Sequence, residues 1–65
     1  MSEVRKKILE VLANWDYTKR RASPFWIARA VGASVNYVCQ VLRELEAEGL
    51  VRKTKAGRET SWYLV

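Results

Sequence analysis

Sixty-five residues, about half of them apolar and including three Trp, three Tyr and one Phe, suffice for one domain near the lower size limit for folding on a hydrophobic core alone. With no His and a single Cys (Cys39), the chain lacks the roughly four ligands of a structural zinc site and cannot form an intrachain disulfide. The net charge of +5 comes with no apolar run approaching the ~20 residues of a membrane span, so composition points to a cytoplasmic protein with no membrane, metal or cofactor.

Val4, Ile8, Val11, Leu12 and Trp15 follow helical spacing and predict an amphipathic helix over residues 2–15, with Ser2 as N-cap and the Arg5, Lys6 and Glu10 side in water. Asp16 to Ala22 is polar and basic and reads as a loop that could end in a short strand. Ser23-Pro24 starts a second helix, because Ser caps and Pro takes the first position, where its missing N–H costs nothing. Ile27, Ala28 and Val31 give that helix its apolar face, and Gly32 ends it. Ser34 can then cap a third helix running to about Glu48 and stopped by Gly49. Its core face is Val38, Val41, Leu42 and Leu45, with Asn36, Gln40, Arg43 and Ala47 on the opposite side.

Leu50 to Lys55 and Thr60 to Val65 read as two strands of a hairpin. With Ala56-Gly57 as the tip, Val51 lies across from Trp62 on one face and Leu64 follows. That register buries Val51, Trp62 and Leu64, turns Arg52, Ser61 and Tyr63 the other way, and exposes Lys55 and Arg58. The fold class is α+β, mostly α: three helices and a β-hairpin in a single domain over residues 1–65.

The second helix, the Gly32 turn and the third helix form a helix-turn-helix. The run VGASVNYVCQVLRELEAEGLV (Val31–Val51) resembles the segment shared by winged helix-turn-helix regulators of the MarR, ArsR and related bacterial and archaeal groups. Their Leu-x-x-Leu-x-x-x-Gly-Leu-Val exit into the wing is here Leu42, Leu45, Gly49, Leu50 and Val51. With Ile27-Ala28 before it and Trp62-Tyr63-Leu64 after it, the resemblance runs from Ser23 to nearly the end. It implies a DNA-binding protein, a transcriptional regulator of prokaryotic or viral type, whose partner is double-stranded DNA.

In such a protein the third helix enters the major groove, which admits one α-helix. The base-reading positions fall on Val35, Asn36, Tyr37, Gln40 and Arg43, with Ser34 at the helix N-terminus beside phosphate. Asn and Gln pair with adenine and Arg with guanine, while Val35 or Tyr37 can meet a thymine methyl. The wing cations Lys53, Lys55 and Arg58 can reach the backbone or minor groove, and Lys19, Arg20 and Arg21 can clamp the backbone. Charge distribution agrees: residues 17–43 carry five basic groups and no acid, whereas Glu44, Glu46 and Glu48 cluster together. Those glutamates read either as the side away from DNA or as a solvated helix end, and each basic cluster also has a plain solubilising reading.

Phe25 and Trp26 stand where the family is usually polar. Folding inward to enlarge the core is the simpler expectation; an exposed patch that joins two copies as a homodimer or meets another partner is the other. Cys39, between the core stripe and the outer face, reads as half-buried. Trp62 invites comparison with Z-DNA-binding winged helices, which carry a tryptophan at the matching wing position. Their recognition-helix Asn and Tyr correspond here to Cys39 and Arg43, and the two prolines before the tryptophan are absent. Those departures set Z-DNA specificity aside and make Trp62 a core residue. Two other functions stay open: a protein-interaction winged helix in a larger assembly, and a non-specific binder that stacks aromatics on bases. An enzyme is not expected, for want of His, a metal set, converging carboxylates or a Gly-rich phosphate loop.

Overall fold

A computed structural model describes residues 3–65 (the backbone only at Ala56). The elements are α1 (Glu3–Ala13), α2 (Pro24–Val31), α3 (Val35–Ala47), β1 (Val51–Ala56) and β2 (Glu59–Leu64). The two strands pair antiparallel, β1 lies against α3, and α1 packs on α2 and β2.

α1 is shorter than its periodicity predicts. It stops at Ala13, and the next turn closes through Asn14 N–H to Glu10 O and Trp15 N–H to Leu12 O. The expected cap, Ser2, lies outside the described residues. Trp15 therefore sits beyond the helix, partly buried against the core, with its ring N–H donating to Arg20 O at 2.9 Å. Nor is the polar side of α1 simply solvated. Arg5 is largely covered, and its guanidinium bonds Glu48 in bidentate fashion at 3.0 and 2.6 Å, with Glu44 at 3.9 Å.

The segment before α2 forms no strand. It still meets the sheet: Trp62 N–H donates to Ala22 O at 3.0 Å, and Ala22 N–H donates to Ser61 Oγ at 3.2 Å. Ser23 caps α2 by accepting from Trp26 N–H, and Pro24 takes the first turn. Gly32 turns the chain with φ 74°, a left-handed value that favours glycine. Ser34 caps α3 by accepting from Tyr37 N–H at 3.2 Å. Val38, Val41, Leu42 and Leu45 are buried, as their spacing predicts.

The hairpin register differs from the expected one by two residues. Val51 pairs with Leu64, Lys53 with Trp62 and Ala56 with Glu59, so the tip is Gly57-Arg58. Gly57 has φ 68° and no non-glycine residue among the described ones has positive φ, the II′ pattern with Gly in the first central place. A tip at Ala56-Gly57 would put glycine second. Because side chains alternate with period two, the shift leaves Val51 and Trp62 on one face, and both are buried. Two residues do not follow the expectation. Leu64, at the open end of the hairpin, is exposed, and Ser61 is buried because Ala22 lies over the other face.

The core is one cluster of Ile8, Leu12, Ala22, Ile27, Ala28, Val31, Val38, Val41, Leu42, Leu45, Val51 and Trp62. The Trp62 ring N–H is buried without an acceptor among the described residues.

The bond from Arg5 holds the Glu48 carboxyl below its ordinary value of 4.5. A depressed carboxylate stabilises the fold at pH above its unfolded value and loses that contribution as pH falls through the folded one. Stability should therefore decline on acidification below about 4.5, and the decline should be shallower in Glu48→Gln. Urea unfolding of both proteins across that range checks this; parallel acid limbs would contradict it.

Candidate nucleic-acid interface

α3 is fixed by its buried stripe, so its outer side is fixed too. Val35, Asn36, Tyr37, Gln40 and Arg43 are all exposed there, Val35 and Tyr37 despite being large and apolar or aromatic. Asn36, Gln40 and Arg43 form one row along the outer face. Arg43 makes no ion pair with any described residue. Ser34, at the amino end of the same helix, occupies one of the free N–H groups and leaves others open. Glu44 and Glu48 lie on the flank turned to α1, where they hold Arg5. Cys39 is half-buried on the other flank.

The hairpin brings a second cationic group. Lys55 and Arg58 are exposed at or beside the Gly57-Arg58 tip. Lys53 differs from them: its ammonium lies 5.4 Å from the centre of the Trp62 ring, on the face that carries the core. A cation over an indole is attracted to the ring's negative face, so Lys53 is partly engaged within the chain.

The three cations before α2 do not act as one group. Arg21 pairs with Glu59 at 2.8 Å, because the Ala22–Trp62 bond sets the two segments side by side. The Arg20 guanidinium lies over the Trp26 ring, 4.1 Å from its centre. Lys19 is exposed, and no ion pair holds it among the described residues.

Phe25 does not fold inward. It is 50% exposed, because the inward side of α2 is already filled by Ile27, Ala28 and Val31. Trp26 is half-buried and meets Phe25 edge to face at 5.1 Å, and the Arg29 guanidinium lies 5.8 Å from both rings. The aromatic pair is thus flanked by the cations Arg20 and Arg29. Trp62, by contrast, is 4% exposed and is a core residue as expected.

Sequence reasoning missed the groups that tie the loop to the wing. Tyr17 donates its hydroxyl to Trp62 O at 2.8 Å, and partial burial raises its phenol above the usual value. Tyr17, Thr18, Lys19, Arg20, Arg21, Trp26 and Glu59 line a cleft of about 340 Å³. No local pattern announces contacts between residues some 40 positions apart, so no signal in the chain pointed to it. Among the described residues no three His, Cys, Asp or Glu could hold a metal ion, and no helix is long and apolar enough to cross a membrane.

No protein-family profile and no curated protein sequence matches the chain. Solved structures do. S. aureus MepR, in a mutant form, superposes over 100% of the chain and 48% of its own, with a TM-score of 0.89 and 20% identity. Lactococcus lactis ZitR in complex with DNA superposes over 100% of the chain and 43% of its own, with a TM-score of 0.79 and 22% identity. The chain spans about half the length of these regulators. The Zalpha domain of Cyprinid Herpesvirus 3 ORF112, described in its binding mode to Z-DNA, matches 100% of the chain and 98% of its own. There the identity is 33% and the TM-score 0.75.

Proposed function

The chain belongs to the winged helix-turn-helix family that includes the herpesvirus Zalpha domain, and from that premise we propose that it binds duplex DNA through the outer face of α3. The observation that carries this is the exposed row Asn36, Gln40 and Arg43 on a helix whose other sides are occupied by the core and α1. α3 lies in the major groove, with Val35 and Tyr37 beside the row and Ser34 at the phosphate. Lys55 and Arg58 touch the backbone or minor groove from the wing tip, with Lys53 behind them. Glu44 and Glu48 are kept from phosphate by their place against α1. Residues 1–65 act as one DNA-binding domain, in the service of transcription regulation and not of catalysis. ZitR is described in complex with DNA, which supports the duplex as partner. The M. bovis winged-helix domain Mb0332 is described as homodimeric, and here the exposed Phe25 offers a pairing surface.

Binding to phosphate releases counterions, so affinity should fall steeply with salt. Fluorescence anisotropy of labelled random duplex, single-stranded DNA and RNA at several salt concentrations tests the reading. Duplex binding with a steep negative slope supports it, and no binding at low salt contradicts it. Lys55→Ala should weaken all duplexes alike and reduce the slope by about 1. Equal slopes for variant and wild type would remove Lys55 from the interface.

A second reading keeps the duplex and changes its form. Likeness over the whole length to a domain described with Z-DNA favours it. The Cys39 and Arg43 positions, where the Z-DNA-binding pattern has Asn and Tyr, speak for the right-handed form. Circular dichroism of an alternating dG-dC duplex separates the two: band inversion on adding protein supports the left-handed form, and an unchanged spectrum the right-handed one.

A further inference from the structure

The cleft between the 16–22 loop, Trp26 and the start of β2 has a chemistry that duplex binding by α3 does not use. Its volume of about 340 Å³ suits one small-molecule-sized group, since such sites run from about 300 Å³ upward. Two kinds of group line it. Lys19, Arg20 and Arg21 are cationic, against the single acid Glu59, which already pairs with Arg21. Tyr17 and Trp26 are planar, and both are partly exposed. The Arg20 guanidinium lies over the Trp26 ring, 4.1 Å from its centre, and so joins the two kinds of group. Stacking uses a guanidinium's face and leaves its in-plane N–H groups for an anion. Lys19 adds an ammonium that no ion pair holds among the described residues.

We propose that this cleft binds a single unpaired nucleotide, its base stacked against the Tyr17, Arg20 and Trp26 groups and its phosphate held by Lys19 and Arg20. A stacking platform joined to cations is the means by which proteins hold single-stranded nucleic acid. The nucleotide can be free or the first unpaired residue of a DNA strand, since the chemistry is the same. Capture of a free nucleotide is independent of duplex binding by α3; capture of a strand end rests on it.

The probe is AMP, titrated into the full chain and followed by heteronuclear NMR. Saturable shifts should centre on residues 17–21 and the Trp26 indole. Inorganic phosphate and adenosine should each bind more weakly by about tenfold or more, the share that stacking or charge supplies. Arg20→Ala should lose the response, and Lys19→Ala and Trp26→Leu should weaken it, with circular dichroism checking that each variant is folded. A duplex with a three-nucleotide tail and the same duplex with blunt ends are titrated alongside. A preference for the tail that Arg20→Ala abolishes identifies a strand end as the source; AMP binding without that preference identifies the free nucleotide. Absence of shifts at residues 17–21 and 26 with millimolar AMP overturns the proposal, as does an equal response to inorganic phosphate. Blunt-duplex affinity in the same samples reports separately on α3.

Discussion

Leu42→Ala is expected to bring the domain close to unfolding. Leu42 is fully buried in α3, within the core cluster. Truncating a buried Leu costs about 2–5 kcal/mol, the lost transfer energy plus the cavity left behind. A domain of this size has a total stability of only about 3–10 kcal/mol, so the loss is a large share of the whole. No disulfide offsets it, because the one cysteine, Cys39, is free. Urea unfolding followed by circular dichroism should show a midpoint far below wild type, or no folded baseline. Leu42→Met keeps the volume and should cost less than about 1.5 kcal/mol. If Leu42→Ala unfolds like wild type, α3 is not seated as described, and its outer face is not fixed either.

Arg43→Ala is expected to be the most informative change in DNA recognition. Arg43 is exposed at the carboxyl end of the outer row, without an ion pair to a described residue, and the core stripe on the opposite side of the helix is buried. A bidentate Arg–guanine contact supplies roughly 1–3 kcal/mol of discrimination, so losing it should weaken a preferred site by about 5- to 150-fold. Non-specific duplexes should lose much less, since only one charge is gone. That pattern differs from the uniform loss expected of Lys55→Ala. Site selection with wild type, followed by anisotropy on the selected and scrambled duplexes, gives the comparison. Unchanged affinity and unchanged selectivity would remove Arg43 from base reading.

Helix-level features were legible because their causes are local. Ser23-Pro24, Gly32 and Ser34 each act within one turn, and the 38, 41, 42, 45 spacing fixes which side of α3 is buried. The exposed outer row of Asn36, Gln40 and Arg43 follows directly from that stripe. Other features depend on partners distant in sequence. The hairpin register turns on which central position needs positive φ, and Ala56-Gly57 and Gly57-Arg58 look alike in a string of letters. Arg5 reads as a solvated cation until α3 brings Glu48 beside it. Arg20 and Arg21 read as a clamp until Trp26 and Glu59 engage them. Phe25 reads as core when aromatic area is scarce, but α2 has only one inward side. The nucleotide cleft combines the loop, α2 and β2, so tertiary structure alone assembles it.

The most direct test of the α3 interface is a heteronuclear NMR titration of the full chain with a blunt duplex at low salt. The largest amide shifts should fall on residues 34–43 and on the wing at 53–58, with Glu44 and Glu48 changing little. Shifts confined to α1 or to the Phe25–Trp26 surface, with residues 34–43 unmoved, would contradict DNA binding through the outer face of α3.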